Sequence, residues 1–187
     1  ATNVMTQLLR MQQVLSGHTK SDSGDFIKVN DNRLNELLDC LEEIEGKTII
    51  WSRFRHDVVR IEAALSQMHG NLSVVTYFGD TKDEERSEAI EKFQNGKARF
   101  FVGNPQTGGM GITLNQAQNV IYFANSFDLA VRTQSEDRAH RIGQKNNVTY
   151  IDFICENTID EKIVKSLRNK MDIASVVMGE ELKEWLK

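Results

Sequence analysis

Two stretches of the chain hold residue types and spacings suited to phosphate chemistry. The first is Asn104 to Leu114, NPQTGGMGITL. Gly108, Gly109 and Gly111 lack a Cβ, so this turn has access to backbone angles that other residues avoid and admits a ligand or a neighbouring backbone closely. Its successive N–H groups are a possible cradle for an anion. The second is Gln134 to Gln144, QSEDRAHRIGQ. Arg138 and Arg141 stand three apart and on a helix share one face, with Glu136 and Asp137 beside them to orient them. Two permanently charged guanidinium forks aimed one way suit phosphate oxygens. Each stretch also has a plainer reading, as a tight strand-to-helix connection and as a solvated face with weak ion pairs. Taken one at a time, the plainer readings lead. No G-x-x-x-x-G-K-[ST] phosphate loop occurs.

The elements that must position these stretches read as alternating strands and helices. Short runs rich in strand formers lie at Thr48–Ser52, Leu72–Phe78, Arg99–Val102, Val120–Phe123 and Val148–Cys155. Helical spacing links Val4, Leu8, Met11 and Leu15, then Leu34, Leu37, Leu38, Leu41 and Ile44, then Val58, Ile61, Leu65 and Met68. Thr81 with Glu84, and Thr158 with Glu161, have the spacing of capping boxes that open two further helices. Leu129–His140 reads as helical, His18–Asp25 as a polar loop, and 159–178 as the last helix. Continuous apolar strands alternating with helices imply a parallel sheet buried on both faces, an α/β fold. We read 1–187 as one domain, with leading helices over 1–45, the α/β core over 46–156 and a trailing helix and tail over 157–187. Open sheets of this kind bind ligands beyond the carboxyl ends of their strands.

Composition narrows the function classes. Of 187 residues, 40% are hydrophobic and 27% charged, the makeup of a folded protein with a real core. Twenty-three Lys and Arg against 27 Asp and Glu leave a formal charge of −4, so any basic footprint is local. Arg53, Arg55 and Arg60 form one such cluster, and Lys162, Lys165 and Arg168 another. Cys40 and Cys155 stand far apart, as do His18, His56, His69 and His140, so neither a disulfide scaffold nor a zinc site is expected. The longest apolar runs are too short to span a membrane. The expected setting is a reducing cytoplasm or nucleoplasm.

Together the blocks resemble a known family. QSEDRAHRIGQ is similar to motif VI, Q-x-x-D-R-x-x-R-I-G-Q, of the second RecA-like domain in Swi/Snf-family helicase-like ATPases of superfamily two. TGGMGITLNQAQNVIYF resembles motif V and its following strand, TIIWSRFRHDVVRIEAAL resembles motif IV, and YFGDTKDEERSEAIEKFQNG the block after it. The resemblance implies a RecA-like open parallel sheet covered on both faces, with flanking N- and C-terminal helices. It implies the C-terminal lobe of an ATP-dependent double-stranded DNA translocase, a DNA-dependent ATPase when whole. ATP and Mg2+ would be bound mainly by an N-terminal lobe of the same protein, which carries the phosphate loop and acidic motif that this sequence lacks. Arg138 and Arg141 would be arginine fingers, an effect worth ~10³–10⁵ in rate in other nucleotide hydrolases. Gln134, Asp137, Gly109, Gly111 and Gln144 would support the nucleotide side. Ser52, Arg53, Asn104 and Gln106 would face DNA, Gln106 also forming part of the motif V turn.

Three departures from the family are visible. Asn104 and Pro105 stand where motif V opens with Ser or Thr. Phe127, Asp128 and Leu129 replace an aromatic-Asn-Pro. The long insertion of many chromatin-acting members is absent, which points to a compact bacterial or viral type. The alternative from another class is a passive nucleic-acid-binding module, for which a retained finger pair has no use.

Overall fold

The computed structural model of the chain describes residues 4–21, 23–79, 82–107, 111–141, 144 and 147–170. The chain opens with α1 (Val4–Leu15), a hairpin of β1 (His18–Lys20) and β2 (Phe26–Lys28), and α2 (Asn32–Glu43). There follow β3 (Thr48–Ser52), α3 (Arg55–His69), β4 (Val74–Tyr77), α4 (Asp83–Gln94) and β5 (Phe100–Gly103). The last elements are β6 (Asn119–Ala124), α5 (Leu129–Ala139), β7 (Thr149–Asp152) and α6 (Ile159–Arg168). Strands β3 to β7 form one sheet in the order β4-β5-β3-β6-β7. Every neighbouring pair in it is parallel.

The pleat explains why the strand sequences are apolar without alternation. Ile49 and Trp51 point to the face covered by α4 and α5, where they pack with Phe101, Val120, Tyr122, Phe93 and Ala139. Ile50 points the other way, toward Leu37 and Leu41 of α2 and Val58 and Ile61 of α3. With helices on both faces, the central strands β3, β5 and β6 are buried along their length and are mostly apolar. A smaller cluster joins α1 to α6 through Leu8, Ile159, Ile163 and Leu167.

One glycine is dictated by this packing. Gly103 pairs with Trp51 on one side and Tyr77 on the other. A Cβ there would stand 2.6 Å from the Tyr77 carbonyl oxygen and 3.0 Å from the Trp51 ring. Its absence lets the Trp51 indole lie across the end of β5.

The local signals meet tertiary structure unevenly. At α6 the Thr158 hydroxyl accepts the Asp160 N–H at 3.2 Å, and Glu161 accepts the Asn157 N–H at 3.1 Å. Thr81 lies outside the described residues; α4 starts at Asp83, and Glu85 accepts the Lys82 N–H at 3.4 Å. The described part of the last helix ends at Arg168, and 171–187 lie outside the described residues.

The stretch expected to be a polar loop is corrected. His18–Lys20 pairs antiparallel with Phe26–Lys28. Polarity misleads here because the anchor is tertiary. His18 is buried with Nδ1 3.2 Å from Asp57 Oδ1. Phe26 stacks on His56 of α3, centroids 4.5 Å apart and rings 8° from parallel.

Candidate functional site

Helix α5 starts just beyond the carboxyl end of β6, where Asp128 caps it by accepting the Ala130 and Val131 N–H groups at 2.8 and 3.2 Å. It then runs back along the sheet. Arg132 holds it in place, with its guanidinium 3.5 Å from the Tyr122 ring centroid and ion pairs to Glu136 and Asp152. Burial opposes the charged Asp152 carboxylate, but hydrogen bonds from Arg132, Asn125 and Arg168 outweigh it and hold its pKa below the ordinary value. The Tyr122 hydroxyl meets Ser135 Oγ at 2.7 Å. Neither anchor was visible as a motif, because Tyr122 and Asp152 lie 10 and 20 residues from Arg132, and Ser135 lies 13 from Tyr122, on separate elements.

The helix ends at Ala139, with His140 at φ −90° and ψ 81°. This corrects the expectation of a shared helical face, since Arg138 is in the last turn and Arg141 is beyond it. Arg138 is 4% exposed, its guanidinium 5.9 Å from the Trp51 ring centroid. Burial lowers its pKa, and the nearby Tyr77 and Tyr122 partly offset this. Arg141 is exposed; its Nη1 donates to the Gly111 carbonyl at 2.8 Å and to Thr113 Oγ1 at 2.9 Å. Gln134 and Asp137 are exposed on α5. Gln144 donates to the Ala117 and Ala139 carbonyls at 3.0 and 3.3 Å. The Leu114 N–H donates to the Arg138 carbonyl at 2.9 Å.

The glycine-rich and arginine-bearing stretches are therefore two halves of one surface, joined by backbone and side-chain hydrogen bonds. Gly108 and Gly109 lie outside the described residues. At Gly111 a Cβ would be 3.7 Å from the Arg141 nitrogens, an ordinary contact, so the fold around it does not itself require glycine. Thr113 escaped the sequence reading; its only signal was its place in the strip after the glycines.

The carboxyl edge of the sheet holds the second set. Ser52 is fully buried, with its hydroxyl donating to Asp57 Oδ2 at 2.7 Å and accepting the Phe54 N–H at 3.3 Å. A buried, occupied hydroxyl serves the β3–α3 turn, which corrects its expected place on the surface. Arg53 is half-buried, 3.9 Å from the Phe127 ring centroid, with Nη1 on Gln12 Oε1 at 3.3 Å. Burial brings its pKa down to about 10, against the pull of Asp128, so it stays charged at neutral pH. Asn104 donates to the Arg53 carbonyl at 2.7 Å and accepts the Gln106 N–H at 2.8 Å. Gln106 is exposed. Beside them opens a cleft of about 540 Å³ lined by Arg55, Phe78, Gly79, Arg86, Asn104, Gln106 and Thr107. Arg60 points elsewhere, to Asp31 Oδ1 at 2.9 Å and the Ser16 carbonyl at 3.0 Å.

Among the described residues, no group of three or more His, Cys, Asp and Glu side chains stands together to hold a metal. Among them, too, no helix is long and apolar enough to cross a membrane.

Comparison with known proteins bears on this arrangement. The helicase conserved C-terminal domain model matches residues 30–143. The chain is 33% identical over 163 residues to the human SWI/SNF-related matrix-associated actin-dependent regulator of chromatin subfamily A member 1, covering 86% of this chain and 15% of that protein. It is 30% identical over 147 residues to the human chromatin-remodeling ATPase INO80, covering 78% and 9%. The chain thus spans a small fraction of these relatives' length. The Sulfolobus solfataricus SWI2/SNF2 ATPase core solved in complex with dsDNA superposes with a TM-score of 0.70 at 25% identity, over 94% of this chain and 37% of that one. With its five-stranded parallel sheet and the two joined motifs, the chain belongs to the helicase conserved C-terminal domain family, as the C-terminal lobe of a Snf2-type ATPase.

Proposed function

We propose that this lobe is the C-terminal half of a motor that hydrolyses ATP and moves along double-stranded DNA. A separate N-terminal lobe of the same protein would hold ATP and Mg2+, and Arg141 would reach across the cleft as the arginine finger. The observation that carries the reading is the exposed Arg141 guanidinium, held on the Gly111–Thr113 strip where the two motifs meet. A guanidinium at that place would neutralise charge developing on the transferring phosphoryl group. Arg138, packed against Trp51, supports the surface from inside and reaches nucleotide only if lobe closure draws it out. Gln134 and Asp137, exposed on α5, would contact nucleotide or the facing lobe, and Gln144 and Gly111 would hold the strip. We assign DNA phosphates to Arg53, Asn104 and Gln106 at the carboxyl edge, together with Arg55 and Arg86 of the adjoining cleft. The relative solved with dsDNA supports this partner.

The test is reconstitution. ATP hydrolysis is measured for this chain alone, then with the N-terminal lobe, with and without duplex DNA. We expect background hydrolysis alone and DNA-stimulated turnover with both lobes. Robust hydrolysis by the chain alone contradicts the half-site. DNA binding without turnover when both lobes are present favours a passive binding module.

A further inference from the structure

We propose that Thr113 is a positioning residue for Arg141, fixing one edge of its guanidinium so that the other edge is presented to phosphate; the inference rests on the finger reading above. Arg141 lies past the end of α5, so no helical turn orients it. An exposed arginine without such support spreads over many rotamers. Here Nη1 meets two acceptors at once, the Gly111 carbonyl at 2.8 Å and Thr113 Oγ1 at 2.9 Å. Both contacts use the same nitrogen. The Nη2 and Nε donors take part in neither and form a fork that matches two phosphate oxygens.

The acceptors are themselves fixed. Leu114, next to Thr113, is fully buried, and its N–H is tied to the Arg138 carbonyl at 2.9 Å. The Ala117 N–H closes back on the Leu114 carbonyl at 3.1 Å. Thr113 therefore projects its hydroxyl from a strip whose register is set by the core. Arg138 contributes through its carbonyl, so the buried arginine locates the strip that in turn locates the exposed one. A donor ordered before the reaction needs no reorganisation when charge develops, which is the source of its catalytic value.

The test uses the full-length protein and four variants: Arg141→Ala, Thr113→Val, Thr113→Ser, and Thr113→Val combined with Arg141→Ala. Valine keeps the shape of threonine and removes the acceptor. We expect Thr113→Val to lower kcat about tenfold, the size of losing one hydrogen bond to a charged group. The KM for ATP should stay within about twofold, since Arg141 would act on the transition state. Thr113→Ser should restore kcat to within about twofold of the parent, because the hydroxyl returns. In the Arg141→Ala background, Thr113→Val should have no further effect. Parental kcat in Thr113→Val beside an inactive Arg141→Ala overturns the role of Thr113 and leaves the finger reading standing. Equal loss in Thr113→Ser and Thr113→Val also overturns it, since packing would then be the cause. Parental kcat in Arg141→Ala overturns the finger reading itself and this role with it.

Discussion

Arg33 and Arg141 carry the same side chain in opposite settings. Arg33 is 6% exposed between α2 and α6, ion-paired with Asp160, and its Nη2 lies 3.1 Å from Cys155 Sγ. Its charge is consumed inside the protein, tying a leading helix to the trailing one. Arg141 is exposed and, among the described residues, is anchored through Nη1. Burial makes a guanidinium a structural clamp, because a buried charge must find its partner within the fold. Exposure with partial anchoring leaves donors for something outside it. Arg138 stands between the two cases, buried and packed on the Trp51 ring.

Substitutions can break or sharpen this contrast. In the full-length ATPase, Arg141→Ala should reduce turnover by ~10³-fold or more while changing the stability of this lobe by less than about 0.5 kcal/mol. Turnover within a few-fold of the parent removes Arg141 from the finger role. Arg33→Ala should do the reverse, costing about 3–5 kcal/mol in denaturant unfolding because Asp160 is left buried and unpaired. A loss below about 1 kcal/mol would mean that the pair is solvated and does not clamp α2 to α6. Arg138→Ala should show both effects, with about 2 kcal/mol of lost stability from packing and lowered turnover. Unchanged stability there would place Arg138 with Arg141.

Smaller effects are expected at the carboxyl edge. Arg53→Gln should weaken duplex binding alike across sequences and reduce the salt slope by about 0.9, the signature of one lost phosphate contact. An unchanged slope removes Arg53 from the DNA surface. The smallest effect concerns His56, stacked on Phe26. Burial, then His18 and Arg60, lower its pKa below the usual 6.5, against the opposing pull of Asp57. The folded state therefore refuses a proton that the unfolded chain accepts, and stability should fall as pH drops below about 6.5. Unfolding at several pH values from 7.5 downward should show this slope, and His56→Gln should flatten it. A parental slope in His56→Gln assigns the titration to another group.

Much of this was legible beforehand. The runs TIIWS, RFFV and VIYF became β3, β5 and β6 within a residue or two, because a strand buried on both faces must be apolar throughout. Motif VI was legible as a block, and its family followed. The split between Arg138 and Arg141 was not, for spacing says nothing about where α5 stops. Ser52 read as a surface contact because the Asp57 that consumes its hydroxyl lies in the next element. The β1–β2 hairpin escaped notice because its anchors, Asp57 and His56, are in α3.

Order and type of the sheet strands and of the helices between them, and the covering of the sheet on both sides, follow from residue chemistry read along the chain. Those properties depend on local periodicity and on burial that runs the length of the central strands β3, β5 and β6. Which guanidinium is locked inside and which is held outward depends on contacts between residues far apart in order. That choice rests on α5 lying over Trp51 with the Arg138 carbonyl set against the Leu114 N–H.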